Sequence, residues 1–60
     1  MYYTIFRDAS GLWRWVLYAG SNRKIAESGV GYVSKGECQS MISLVKGSAG
    51  AIIHEVSNAA

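Results

Sequence analysis

The sequence is short of almost everything from which active sites and covalent scaffolds are built. It holds one cysteine, Cys38, and one histidine, His54. A disulfide framework needs an even set of cysteines in an oxidising compartment, so covalent stapling is excluded and a reducing, cytoplasmic location is expected. A metal site needs three or four ligands, more than one thiol and one imidazole supply, and no metal or other cofactor is expected. No uninterrupted apolar run approaches the ~18 residues of a membrane span, and Met1–Arg7 lacks the basic and long apolar regions of a secretory signal. A soluble protein without a membrane partner is the expectation. The acidic residues are only Asp8, Glu27, Glu37 and Glu55, and no two of them stand at a spacing that marks general acid–base work. The chain also lacks G-x-G-x-x-G, G-x-x-x-x-G-K and any β-α-β context, so Gly29-Val30-Gly31 reads as a flexible turn rather than a phosphate loop.

What is present is apolar. Half of the residues are hydrophobic and 17% are charged, a composition that folds rather than staying disordered. The 60 residues allow one domain, spanning 1–60. A domain this small buries only about 60% of the surface its unfolded chain exposes. Small proteins close that gap with disulfides, a metal or oligomerisation, and only the last is open here. A homodimer is therefore expected. The net charge of +2 is uneven: residues 1–24 carry Arg7, Arg14, Arg23 and Lys24 against Asp8, whereas residues 25–60 carry Lys35 and Lys46 against Glu27, Glu37 and Glu55. Such asymmetry permits weak attraction to an anionic partner without requiring one.

Residues 2–8 alternate with period two, Tyr3 and Ile5 on one face and Tyr2, Thr4 and Phe6 on the other, which predicts a first strand. Asp8-Ala9-Ser10-Gly11 has turn chemistry, Gly11 supplying the positive φ of a tight reversal. Residues 12–19 form a second strand with Trp13, Trp15, Leu17 and Ala19 facing the core and Leu12, Arg14, Val16 and Tyr18 facing outward. Gly20-Ser21-Asn22-Arg23 predicts another turn, and residues 24–28 a third, short strand. Ser34 and Glu37 have the spacing of a capping box that starts a helix over about 35–46. Cys38, Met41, Ile42 and Val45 make its apolar stripe, Leu44 widens it, and Gly47 stands where a left-handed cap is expected. After the connector Ser48-Ala49-Gly50, residues 51–56 predict a fourth strand, Ile52, His54 and Val56 alternating with Ile53 and Glu55; residues 57–60 are expected to fray. The prediction is an α+β fold: a three- to four-stranded antiparallel sheet, in the chain order β-β-β-α-β, with one helix on one face. Trp13, Trp15, Leu17, Ile42 and Val45 are the expected core.

The string Tyr3-Thr4-Ile5-Phe6-Arg7-Asp8, with Gly11, Trp13-Arg14-Trp15, Leu17, Ala19, Ile25-Ala26, Ser28, Gly31-Tyr32, Ser34-Lys35, Ile42 and Val45-Lys46, resembles the YegP-like family of small, mostly bacterial proteins of unknown function. The resemblance spans roughly residues 3–46. Members often carry two tandem copies of the unit, so the resemblance implies that a one-copy chain is half of a paired assembly. It carries no catalytic residue across. Two departures stand out: Ser21-Asn22-Arg23 replaces the family's usual Asn-Gly, and Val16 and Tyr18 occupy outward positions that are commonly basic or polar. The outer sheet face is unusually apolar here.

Three readings of chemistry compete. Cys38 lies near a helix N-terminus, where thiols can become reactive, but its place on the apolar stripe favours a packed, inert side chain. His54 reads as a strand histidine with a local hydrogen bond, and Glu37 as a cap. The helix N-terminus from Ser34 to Glu37 could hold an adventitious anion. Enzymatic activity is not expected. The outward face bearing Thr4, Phe6, Arg14, Val16 and Tyr18 is the candidate interface or ligand face, and six of the seven aromatics fall within the first 18 residues. Burial against a second protomer is the first reading of this face. The alternative is weak single-stranded nucleic-acid binding through Phe6, Arg14, Tyr18, Arg23 and Lys24, since alternating aromatics and guanidinium groups also stack bases.

Overall fold

A computed structural model describes residues 1–56; the frayed tail expected over 57–60 lies outside them. The chain forms β1 (Tyr2–Arg7), β2 (Trp13–Tyr18), β3 (Lys24–Glu27), α1 (Lys35–Lys46) and a 3₁₀ turn, Ser48–Gly50. The sheet is antiparallel with strand order β1-β2-β3, so β2 is central.

Asp8 organises the first reversal. Its Oδ1 accepts the N–H groups of Ser10 (2.8 Å) and Leu12 (3.0 Å), and Gly11 takes φ +80°. The register Tyr3↔Leu17, Ile5↔Trp15, Arg7↔Trp13 then fixes which side chains share the core face. At the second reversal the Ala19 N–H donates to the Arg23 carbonyl (2.8 Å), and Asn22 takes the positive φ of 59°. Asparagine tolerates that region because its side chain can hydrogen-bond locally, so Asn22 does here what glycine does in the first turn. β3 is irregular, with a shift of register where Tyr18 faces Lys24.

Beyond β3 the chain loops away from β2 at Gly29-Val30 and returns at Tyr32, which exchanges two backbone bonds with Trp13 (2.7 and 2.8 Å). The excursion removes the backbone acceptor that the Trp15 N–H would meet in a continuous strand. Buried Ser28 fills the gap: its N–H donates to the Trp15 carbonyl (2.9 Å) and its Oγ accepts from the Trp15 N–H (3.3 Å). Ser28→Ala should therefore destabilise the fold by about 1–3 kcal/mol, the cost of an unsatisfied buried donor. Urea titration checks this; a midpoint equal to that of the parent chain would mean that Ser28 is replaceable.

α1 covers the inner face of the sheet. Ser34 Oγ accepts the Glu37 N–H (3.1 Å), as the capping-box spacing predicts. The Glu37 carboxylate accepts from the Ser34 hydroxyl (3.5 Å) rather than from the Ser34 backbone, so the pair is closed side chain to side chain. The helix end also differs from expectation. Gly47 has φ −86°, not a left-handed value, and the Ser48 hydroxyl donates to the Val45 carbonyl (2.6 Å), satisfying one of the last orphan acceptors.

Trp15, Cys38 and Ile42 form the buried centre, with Tyr3, Ile5, Trp13, Leu17, Ala26, Tyr32 and Val45 packed around it. This is the predicted tryptophan-face core with its full set of predicted members. Tyr3 meets the Trp15 ring edge-on, centroids 5.6 Å apart. The helix stripe is narrower than predicted: Met41 and Leu44 remain exposed, because a sheet of three short strands accommodates only the row Cys38, Ile42, Val45.

Among the described residues the predicted fourth strand does not form. Residues 51–56 carry no strand pairing, and Ile52 and Ile53 are 90% and 96% exposed. Their alternating pattern suits a strand, but a strand exists only beside a neighbour, and the tight 3₁₀ turn after α1 leaves this segment clear of its own sheet. The described fold is thus a three-stranded sheet with one helix, in the order β-β-β-α.

Candidate interaction surface

The register places Tyr2↔Tyr18, Thr4↔Val16 and Phe6↔Arg14 on the sheet face opposite α1, which brings Phe6, Arg14, Val16 and Tyr18 together as the alternation predicts. The four are not equally available. Val16 is 6% exposed, flanked across the sheet by Thr4 and Glu27, and forms the floor of the face rather than a projection from it. Tyr18 stacks on Tyr2 (centroids 5.3 Å apart, planes at 29°), whose hydroxyl donates to Asn22 Oδ1. Phe6 and Tyr2, both on β1, are large apolar side chains of this face left open.

Two of its cations are already engaged. Arg14 Nε donates to Asp8 Oδ2 at 2.6 Å, and Lys24 Nζ pairs with Glu27 Oε1 at 3.0 Å. The hydrogen bond from Arg14, followed by that from the Leu12 N–H, holds the Asp8 carboxyl below its ordinary value of 3.8, burial opposing only in part. A lowered carboxylate contributes stability above its unfolded value, and that contribution is lost as the pH falls through the folded one. Asp8→Asn keeps an acceptor for the turn but loses the charge facing Arg14. Its thermal midpoint should lie below that of the parent chain at neutral pH, and the difference should shrink once the pH drops below 3.8. Thermal melts across the acid range check this; a pH-independent gap would contradict it.

The residues considered for chemistry lie apart from this face in character. Cys38 is fully buried, and burial pushes its thiol above the ordinary value, the opposite of what a nucleophile needs. His54 stands exposed on the unpaired segment 51–56.

Sequence reasoning missed a cationic cluster on the core face. Arg7 and Lys35 sit 5.5 Å and 5.9 Å from the Trp13 ring. Arg7 lies in the period-two row of Tyr3 and Ile5, which was the available signal; the approach of Lys35 depends on how α1 crosses the sheet. Arg7 Nη2 also donates to the Gly11 carbonyl (3.3 Å), tying the cluster to the first turn.

Among the described residues, the large apolar side chains Tyr2, Phe6, Ile25, Leu44, Ile52, Ile53 and Val56 are all exposed.

Comparison with known proteins places this architecture among uncharacterised relatives. Residues 8–55 match the family described as "Domain of unknown function (DUF1508)". The chain is similar to UPF0339 protein NMB1088 of Neisseria meningitidis serogroup B, 46% identical over 46 residues that cover 77% of this chain and 80% of the relative. UPF0339 protein NMA1193/NMA1859 of Neisseria meningitidis serogroup A shows the same identity and coverage. An NMR solution structure of a protein from Haloferax volcanii superposes with a TM-score of 0.82 over 93% of both chains at 30% identity.

Proposed function

The chain belongs to the DUF1508 family, and from that starting point we propose that it is a homodimeric interaction module without catalytic activity, acting in the cytoplasm. One observation carries the reading: large apolar side chains stay exposed on this chain, among them Tyr2 and Phe6 on β1, Ile25 on β3, Leu44 on α1, and Ile52 and Ile53 beyond it. The exposed side chains are apolar and aromatic, as interface cores are. Phe6, with Arg14, Val16 and Tyr18 behind it, belongs to the proposed contact surface, and Cys38 and His54 take no catalytic part.

Weak single-stranded nucleic-acid binding through Phe6, Arg14, Tyr18, Arg23 and Lys24 draws less support, because Arg14 and Lys24 already face Asp8 and Glu27. Sedimentation equilibrium at low and high salt, with and without a short oligonucleotide, separates the two. The dimer reading expects a mass near two chains that holds or tightens with salt and ignores the oligonucleotide. A monomer that binds the oligonucleotide at low salt and releases it at high salt would replace it with the nucleic-acid reading.

A further inference from the structure

We propose that Arg7 and Lys35, gathered at the Trp13 ring, form a binding site for a dianionic phosphate group, carried either by the free ion or by a small phosphate monoester. The inference goes beyond the homodimer reading and does not depend on it, because every residue it uses belongs to one chain.

The fold assembles the site from separate elements. Arg7 closes β1, Trp13 opens β2 and Lys35 opens α1. The register pairs Arg7 with Trp13 across the sheet, and the guanidinium carbon lies 5.5 Å from the indole centroid. Lys35 Nζ reaches the same ring at 5.9 Å. Trp13 is half-buried while Arg7 and Lys35 are exposed, so an anchored ring carries two cations that a ligand can reach from solvent.

Two cations held at one ring repel each other, and their attraction to the ring face offsets only part of that cost. A carboxylate would offset the rest, but among the described residues no carboxylate oxygen lies within 4.0 Å of either. The acids nearest to them in sequence are committed elsewhere. Asp8 gives Oδ2 to Arg14 and Oδ1 to the Ser10 and Leu12 N–H groups. Glu37 accepts from the Ser34 hydroxyl at the helix cap (3.5 Å).

The donors are unspent as well. Contact with the face of a ring uses the charge of a cation and leaves its N–H groups largely free. Arg7 donates from Nη2 to the Gly11 carbonyl (3.3 Å), and Lys35 makes no side-chain hydrogen bond among the described residues. Such a pair matches an anion with two charges and several acceptor oxygens. A phosphate group has both: the guanidinium fork takes two of its oxygens and the ammonium another. A carboxylate, with a single charge, compensates one cation and leaves the other. Both cationic side chains are long and exposed, so their tips close on one group without a shift of the sheet.

The test is an NMR titration of the backbone amides and indole N–H groups of the full chain at about pH 7.5, where a phosphate ester is mostly dianionic. Chloride holds the ionic strength constant, inorganic phosphate and glycerophosphate are the probes, and acetate is the singly charged control. The proposal expects saturable shifts at the Trp13 indole and at the Arg7 and Lys35 amides with a Kd of about 1–10 mM, the tighter of the two phosphate probes naming the source. Acetate should bind more weakly by about fivefold, the worth of one exposed ion pair. Lys35→Gln should weaken phosphate binding by about the same factor, and Arg7→Gln/Lys35→Gln should abolish saturation. Should the double variant lose its fold, Lys35→Gln decides alone, since that side chain holds nothing by a hydrogen bond. Failure of both phosphate probes to saturate, an equal response to acetate, or a Lys35→Gln variant that binds phosphate as the parent chain does would each overturn the site.

Discussion

Trp15→Ala is expected to lower stability by about 3–5 kcal/mol, the usual cost of truncating a buried tryptophan. The residue is 7% exposed, sits at the centre of β2, and contacts the core made by Cys38 and Ile42 on α1 and Tyr3 on β1. A domain of 60 residues has only about 3–9 kcal/mol of stability in total, so the variant should be largely or wholly unfolded at room temperature. Calorimetry or tryptophan-independent circular dichroism reads the result, and a midpoint within a few degrees of the parent chain would contradict the core. Trp15→Phe gives a finer test. The indole N–H is buried without a hydrogen-bond partner, so the phenyl replacement loses ring volume but removes an unsatisfied donor, whose burial costs about 1–3 kcal/mol. The two terms oppose one another, and Trp15→Phe should be far milder than Trp15→Ala.

Gly31→Ala is expected to cost about 2–4 kcal/mol, through overpacking and the loss of neighbouring backbone bonds. Gly31 does not need a positive φ; it needs space. A methyl group there would lie 2.6 Å from Leu12 Cβ and 2.8 Å from Leu12 Cδ1, so the chain must move, and the adjacent Tyr32 makes both bonds that tie this segment to Trp13. Because the closest atom is a Cβ, Leu12→Ala should not rescue the variant. Gly29 is the internal control: a methyl group there meets nothing within 4 Å, so Gly29→Ala should change stability by no more than about 0.5 kcal/mol. Equal midpoints for Gly29→Ala and Gly31→Ala in urea titration would show that the close approach to Leu12 carries no weight.

These two glycines illustrate how far the sequence could be read. Within Gly29-Val30-Gly31 the residues look interchangeable, and only the path of the chain over Leu12 separates them. Ser28 is similar: a single polar residue at a strand end has no periodic signature, and its role arises from a loop that breaks the ladder at Trp15. Signals that repeat were legible. The alternation over residues 2–8 and 12–19 assigned the correct face to Tyr3, Ile5, Trp13, Trp15 and Leu17, and the Ser34–Glu37 spacing located the start of α1. Features decided by neighbours were not. Residues 51–56 have the pattern of a strand, yet the pattern reports fitness for a sheet and not the presence of an edge within reach. Leu44 has the character of a core residue but lies on a helix that meets a sheet too narrow to cover it. On the candidate face, alternation brought Phe6, Arg14, Val16 and Tyr18 together correctly, while the Asp8–Arg14 ion pair and the burial of Val16 depend on hairpin register and could not be foreseen from composition.

The most direct test of the central claim, the proposed homodimer, is an isotope-filtered nuclear Overhauser experiment on an equimolar mixture of labelled and unlabelled chains. Contacts between copies at one or more of the exposed apolar side chains Tyr2, Phe6, Ile52 and Ile53 are the predicted result. A mixed sample that gives no intermolecular contact at millimolar concentration would contradict the claim.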